Sequence, residues 1–558
     1  MLSALLLVEA LSAQNIDPTV IVRREYEGKL MEVHKPALEM AVPDSVQRFN
    51  LEFDYSVFDS PYKGAYEFRP YQLVMRPAAD RQKQKTLYLR AGAGYTLHPE
   101  LDVVWSPVLP GKFRLDVYGL HRSYVGKYRT IAPVDPSDGF YEISRWEGAT
   151  GSARTWNGYD LLSKAGVNGA YDWEKMSFRF DVGYYGIAQK DQRRGRCYDA
   201  LDVRMDFMSN VYEHGAFLYD IDMDYRFAED KLKDFSMGPY LGEHDFSLKA
   251  SLAPVFGPHS FFFDVRLDMT GYSGALNAVA GRLGLTPRYV FDRGRWKFDL
   301  GVNLSAKISE DNQSDLYSSK EQYVYPDVSV EYRAIRNAMV LYADVAGGSH
   351  LDTYSDLIAS NHHADFSYSL DGRPVLDMSV ERVNAALGMK GRIASGFSYD
   401  LRAGYANVAS APLDAVVLVG DRFRAGLAYT PYQKWYAALD WLWKNERISF
   451  DGSMRYIHAW GIDEELLAPA AFAGNAAFKY NWSGRIYAGV DCRFSTARRG
   501  NHMRLPGYAD LGLTFEYLVS KSFSVWARGG NLLHMTVQES PLYAEQGINF
   551  TVGICLNL

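Results

Sequence analysis

The sequence lacks a run of about 20 apolar residues, the length that a membrane-spanning helix needs. The longest apolar stretch of its 558 residues lies within the first dozen. Only three cysteines are present, at Cys197, Cys492 and Cys555, without any C-x-x-C spacing. They allow at most one disulfide and indicate neither a zinc site nor a disulfide framework. A helical membrane protein and a disulfide scaffold are therefore excluded.

Strong charge is also missing. The formal net charge is −7, and no block of Lys and Arg interleaved with aromatic residues is present. Such a block would be needed to argue for a nucleic-acid partner. We therefore expect no nucleic-acid binding.

Catalytic motifs are missing as well, since neither a G-x-S-x-G elbow nor an H-E-x-x-H motif occurs. His362, His363 and Asp365 could bind a metal or form a hydrolytic pair, and residues 309–315 could chelate calcium through oxygen ligands. Neither segment has further ligands at a diagnostic spacing, so a solvated polar loop is favoured for both. We expect no catalytic residue, cofactor or metal site, and no enzyme.

Aromatic residues, in contrast, are abundant. They form 14% of the chain, with 40 Tyr, 29 Phe and 11 Trp, yet the mean hydropathy is −0.24. A chain that is aromatic-rich but polar on average is typical of strands with one apolar and one wet face.

Period-2 alternation runs to the end of the chain. The last segment places one set of apolar side chains on a single strand face: Ile548, Phe550, Val552, Ile554, Leu556 and Leu558. Charged residues alternate with apolar ones in three upstream segments: Asp202, Arg204, Asp206; Asp220, Asp222, Asp224, Arg226; and Asp264, Arg266, Asp268. Successive side chains of a strand face opposite sides, so each segment is half apolar and half polar.

A soluble β-sandwich also alternates, but its strands usually have about 5–6 residues. Here residues 176–187 and 216–227 alternate over a much longer stretch. A membrane strand needs about 9–11 residues, and its backbone groups must be paired in a closed barrel. The sequence therefore predicts an all-β fold, a large antiparallel transmembrane β-barrel of about 22 strands over residues 65–558.

Connections between these segments alternate in length. Residues 172–175, 292–294, 481–484 and 520–521 form very short turns, whereas residues 125–158, 228–242, 309–320, 348–379 and 497–506 form long polar loops. Short periplasmic turns and long outer loops are the pattern of outer-membrane barrels. We therefore expect a multi-pass barrel in the outer membrane of a Gram-negative cell, in contact with its lipid.

The N-terminal segment has an apolar stretch followed by small residues before Gln14. This pattern predicts a signal peptide over residues 1–13. Residues 14–64 precede the regular alternation, and we expect a periplasmic or lumenal extension there.

The C-terminal fifth resembles the end of a TonB-dependent receptor barrel. The resemblance lies in residues 505–512 (LPGYADLG), residues 525–533 (VWARGGNLL) and the Gly-containing final strand at residues 547–553. It implies that Asn531, Leu532 and Leu533 end the penultimate strand and that the last strand is the signal for barrel-assembly machinery. Such receptors carry a plug of well over a hundred residues, and only about 50 residues stand before the first strand segments here. We therefore expect a barrel without its plug, unless a plug-coding segment lies upstream of Met1.

Two functions follow from these patterns. The resemblance implies solute uptake or transport across the outer membrane. The alternative is a non-transporting barrel that scaffolds an envelope complex, with a periplasmic or surface lipoprotein as partner. The ten charged residues of the upstream segments could line a solute path, but pairing of Asp with Arg on neighbouring strands is the more favoured interpretation.

Overall fold

The computed structural model describes residues 85–95, 98–134, 141–145, 155–190, 195–209, 217–231, 240–256, 258–311, 319–336, 338–360, 377–393, 396–419, 422–500 and 503–558. The predicted signal peptide, the predicted extension and the predicted start of the barrel at residue 65 lie outside these residues. Among the described residues, no helix is long and apolar enough to cross a membrane.

Strands make up nearly all of the described chain. In order they are β1 Leu87–Gly94, β2 His98–Trp105, β3 Phe113–Arg129, β4 Ile131–Val134, β5 Tyr141–Arg145, β6 Thr155–Asp172, β7 Met176–Lys190, β8 Gly195–Ser209, β9 Phe217–Asp230, β10 Leu241–Phe256, β11 His259–Gly274, β12 Ala278–Arg293, β13 Trp296–Asp311, β14 Ser319–Ile335, β15 Met339–Leu351, β16 Met378–Ile393, β17 Phe397–Val419, β18 Arg422–Lys444, β19 Ile448–Trp460, β20 Phe472–Trp482, β21 Ile486–Ser495, β22 Arg498–Arg499, β23 Met503–Leu505, β24 Tyr508–Ser520, β25 Phe523–Gly530 and β26 Asn549–Asn557. Within the described ranges, one helix, α1, spans Tyr354–Ser360 between β15 and β16.

Twenty-two of these strands form one closed sheet, as the sequence predicted. Each strand pairs antiparallel with the next barrel strand along the chain, and β26 closes the ring against β1. The closing register runs from Tyr88 opposite Asn557 to Gly94 opposite Thr551. Closure gives every strand of this sheet a neighbour on both sides, which is what a lipid environment demands.

The outer face of the barrel is apolar. The apolar set of β26 lies on this face, where Val552 is 62% exposed and Phe550 is 53% exposed. On β18, Trp435 and Trp443 also face outward. Their spacing of eight residues corresponds to about 26 Å along a strand, or about 20 Å along the membrane normal at a tilt of about 40°. The two tryptophans therefore lie at different depths of the outer face, separated by less than the apolar band of about 25 Å that such barrels have.

The connections define two rims. At the turn rim, strands are joined by short segments such as residues 173–175 and residues 294–295. At the loop rim, they are joined by longer segments such as residues 130–154, 352–377 and 531–548. The connections that the sequence predicted as short lie at the turn rim and those predicted as long lie at the loop rim, although the loop rim also has short connections such as residues 275–277. Residues 408–419 belong to β17.

A second, four-stranded sheet stands at the loop rim. It joins β4 and β5 of one loop to β22 and β23 of another through the parallel pair β5–β23. The loop-rim segments thus pack on one another: Leu505 of β23 is buried together with Val416 of β17 and Leu467.

Candidate functional site: a flap across the barrel lumen

Three neighbouring strands carry β-bulges at one level of the wall. The register shifts between Ala346 and Gly348 on β15, around Glu381 on β16, and between Val408 and Ala411 on β17. Gly348 stands opposite Glu381, and Glu381 stands opposite Val408. We call these three residues the bulge row. Because a bulge bends its strand and strengthens the local twist, an aligned row bends a whole section of wall.

Above the bulge row, β15 leaves its neighbour β14. The pairing of β14 with β13 continues to Ser319 opposite Ser309, whereas its pairing with β15 ends at Asp327 opposite Ala346. Beyond this point, the hydroxyl of Ser349 lies 2.8 Å from the hydroxyl of Ser305 on β13. The end of β15 therefore folds inward, across the inner face of β14. We call residues 347–360 and 377–382 the inner flap.

Helix α1 begins inside the flap with a reciprocal cap. The Asp356 amide donates to Thr353 Oγ1 at 3.1 Å, and the Thr353 amide donates to Asp356 Oδ2 at 3.3 Å. This is the geometry of a capping box, which satisfies two amides that the first turn leaves free. The cap matters because a seven-residue helix is marginal without outside support.

The apolar side of α1 packs on the far wall. Leu357 and Ile358 are 1% and 0% exposed. Their cluster includes Ile187 of β7, Tyr198 of β8 and Leu427 of β18. Ten barrel strands separate β7 from β18 on either side of the ring, so the two strands face each other across the lumen. The inner flap therefore crosses the lumen near the loop rim.

Two buried carboxylates anchor the flap. Glu243 of β10 accepts hydrogen bonds from the Ser355 amide at 3.0 Å, from the Ser355 hydroxyl, and from Tyr272 at 3.4 Å. Asp230 of β9 accepts from Tyr354 Oη at 2.5 Å. We call Glu243 and Asp230 the anchor carboxylates.

The anchor carboxylates differ in their other partners. Asp230 also faces Arg196, with Nε and Oδ2 3.1 Å apart. The donors to Glu243, by contrast, are an amide and hydroxyls, all neutral. The closed flap therefore meets Glu243 through neutral hydrogen bonds, whereas it meets Asp230 beside an ion pair.

The base of the flap has a third acidic group, Asp352. It accepts from Ser379 at 2.6 Å and from Tyr429 at 2.9 Å. Burial raises the pKa of Asp352 to about 6, although these donors and His350 act in the opposite direction. For Asp356, burial also acts upward, but the hydrogen bond and charge of His350 and the hydrogen bonds of Thr353 together outweigh it and lower the pKa. The two carboxylates of the flap therefore respond oppositely to pH.

The ten charged residues singled out from the sequence all lie on the inward face of β8, β9 and β11. Most pair with a neighbouring strand, as in Arg204 with Asp224 and Arg226 with Asp202. Arg282 and Arg288 of β12, which the sequence analysis did not single out, bind Asp268 and Asp264. Near the turn rim, the carboxylates of Asp206, Asp220 and Asp222 approach within 4.8 Å of one another.

Sequence reasoning missed the flap. Residues 348–379 were assigned to one long loop, although the Thr353-x-x-Asp356 pattern and the Gly347–Gly348 pair are both readable. A Cβ on Gly347 would meet the Arg382 carbonyl at 2.5 Å, so this glycine marks the sharp departure of β15. Residues 361–365 and the side chains of residues 309–315, considered above as metal sites, lie outside what the structure describes.

The barrel is similar in structure to several solved proteins. It is similar to the copper transporter OprC, with a TM-score of 0.62, 11% identity, and coverage of 85% of this chain and 80% of that one. It is also similar to the siderophore receptor PiuA from Acinetobacter baumannii, with a TM-score of 0.62, 8% identity, and coverage of 86% and 82%. The FrpB iron transporter from Neisseria meningitidis gives a TM-score of 0.63, 8% identity, and coverage of 86% and 82%.

The barrel has the fold of TonB-dependent receptor barrels. No protein-family model and no curated protein sequence matches the chain. The similarity is thus one of fold, and it agrees with the resemblance of residues 505–553. In the structure, β25 ends at Gly530, so Asn531, Leu532 and Leu533 begin the last loop instead of ending the strand, as the resemblance had implied.

Proposed function

We propose that this protein transports a solute across the outer membrane through the lumen of the barrel. The observation that carries the proposal is the inner flap, which crosses a lumen lined by charged side chains. A ring of 22 strands encloses a wide interior, and a polar inner wall is typical of barrels that hold water. The similar structures, described as transporters and receptors, support the same class of function.

The proposed path runs along the inward face of β7 to β11. Alternating acids and arginines are paired and solvated there. A polar solute can therefore replace one partner of a charged side chain without leaving that side chain unpaired. The flap lies near the loop rim, and by the alternation of connection lengths we assign this rim to the cell exterior. The flap would then close the path on its outer side.

The alternative is a scaffold for an envelope complex. One observation favours it: the second sheet and its buried contact of Leu505 give the loop rim a built surface that transport alone does not require. A periplasmic or surface lipoprotein is the partner class we propose in that case. Barrel-assembly machinery, which would read the last strand, is a proposed partner under both functions.

Conductance in a planar bilayer tests the transport proposal. Wild type is compared with a chain lacking residues 14–64 and with the double variant Tyr354→Phe/Ser355→Ala, which removes two side-chain donors to the anchor carboxylates. We expect steady channels when the flap contact is weakened. The control is Tyr480→Phe, on the outer face. Closed barrels in all chains, each still heat-modifiable on gels, would contradict transport and favour the scaffold.

A further inference from the structure

We infer that the inner flap is a movable gate that turns about the bulge row. The role of the flap as a gate rests on the proposed transport function, whereas its movement is argued from the structure alone. Three features carry it: the aligned bulges at its base, the departure of β15 from β14, and the neutral-donor contact at Glu243. Together they describe a segment that is bent at its base, separated from one neighbour and held at its tip.

The bulge row supplies the axis. Because Gly348, Glu381 and Val408 stand side by side, bending at all three moves the strand ends above them as one sheet. Glu381 is buried at 1% exposure, with its carboxylate 3.9 Å from Lys434 Nζ of β18. This long ion pair ties the axis to the wall. Below the axis, Ser329 stands opposite Asp344 in undisturbed β14–β15 pairing.

In an open position, the backbone groups at the end of β15 must find other hydrogen-bond partners or be hydrated. On β14, the residues above Asp327 pair with β13 on one side only. A flap swung back toward the wall would meet this vacated edge of β14 and recover its backbone hydrogen bonds there. The structure thus offers the strand ends of the flap a second partner, which is what a two-state element needs.

The contact at Glu243 sets the balance between the two positions. Opening would hydrate the Glu243 side chain, which the closed flap buries with neutral donors, and hydration of a polar group is favourable. Opening would also expose Leu357 and Ile358, which is unfavourable. Opposed changes of this kind leave two positions close in free energy, so a solute or a partner can shift the population between them.

A disulfide across the closed contact tests the gate. The hydroxyls of Ser305 and Ser349 are 2.8 Å apart, so Ser305→Cys/Ser349→Cys joins the flap to β13 in its closed position. The variant is made in a background with Cys197→Ser, Cys492→Ser and Cys555→Ala. The matched control is Ser329→Cys/Asp344→Cys, which bridges β14 and β15 below the bulge row.

Hydrogen exchange and conductance are measured oxidised and reduced. If the flap opens, oxidation slows exchange of the amides of residues 347–358 by at least about tenfold, leaves those of residues 339–345 unchanged, and lowers conductance. The control disulfide changes neither. Exchange of residues 347–358 that is unaltered by the disulfide would overturn the gate, whether or not the barrel conducts. Slowed exchange without conductance in either state would leave a moving flap and overturn the transport proposal instead.

Discussion

The side chain of Asn531 forms hydrogen bonds with both backbone groups of Met535. Its Nδ2 donates to the Met535 carbonyl at 2.8 Å, and its Oδ1 accepts from the Met535 amide at 3.0 Å. Asn531 has a φ of 47°, a left-handed conformation that Asn tolerates better than most residues. The residue that the sequence resemblance picked out is thus the one that shapes the start of the last loop.

Replacing Asn531 with Ala should loosen residues 531–546. The variant loses these two bonds and a third to the Gln546 carbonyl, and removing one partner of a buried hydrogen bond costs about 1–3 kcal/mol. We expect faster hydrogen exchange in this loop and an unchanged barrel. Leu533→Ala, at an exposed neighbour, is the control. Equal exchange in both variants would show that Asn531 does not organise the loop.

Tyr354→Phe should weaken the closed flap. It removes a hydrogen bond to the ionised Asp230, a type worth about 1.5–3 kcal/mol, and leaves Asp230 paired with Arg196. Exchange of the amides of residues 353–358 should rise by about tenfold or more, since about 1.4 kcal/mol corresponds to tenfold. An unchanged exchange rate would show that the hydroxyl does not hold the flap.

Thr353→Ala should fray α1 while Thr353→Ser should not. The hydroxyl accepts from the Asp356 amide, and loss of such a cap costs about 1 kcal/mol. Serine keeps the oxygen, so it is the matched control. The readout is again exchange at residues 354–358. Similar protection in both variants would mean that packing of Leu357 and Ile358 fixes the helix without its cap.

Asp352→Asn should stabilise the closed flap at neutral pH. A carboxyl whose pKa is raised from 3.8 to about 6 favours the closed state below pH 4 and loses this contribution as the pH rises through 6. The penalty at pH 7 is at most about 3 kcal/mol, since one pKa unit is about 1.4 kcal/mol. Asn removes the titration but can still accept from Ser379 and Tyr429.

Flap protection in wild type and Asp352→Asn is therefore compared between pH 4 and pH 8. The two should agree at pH 4, diverge as the pH rises from 4 to 6, and differ by a constant amount at higher pH. Asp356, whose pKa is lowered and whose charge raises the pKa of Asp352, is kept in both chains. A difference that does not vary with pH would contradict the assignment.

The membrane face can be checked with one pair of neighbours on β20. Phe478 faces outward, whereas Ala477 faces inward between Asp451 and Asp491 of the adjacent strands. Phe478→Arg should cost about 2–4 kcal/mol in a bilayer refolding titration. Ala477→Arg should be close to neutral because it stands between two acids. The reverse order would mean that the faces of β20 are assigned wrongly.

The barrel could be predicted from sequence because its signal is local. Alternation such as that of residues 548–558 assigns faces strand by strand, and connection length assigns rims. The flap could not be predicted this way. Its bend depends on Gly348, Glu381 and Val408 standing side by side, and its anchors Asp230 and Glu243 come from strands more than a hundred residues upstream. Alternation shows that Glu243 faces inward but not that a helix from another loop covers it.

The pairing of Tyr88 with Asn557 joins the first described strand to the last. The ring therefore cannot close until the final residues have been synthesised and delivered. Until then, β1 and whichever strand was added last both present open edges, which invite pairing with other chains. Loss of even the last nine residues would leave the sequences of the other strands intact. The closed barrel would then become an open curved sheet with two unpaired edges that can pair with other chains.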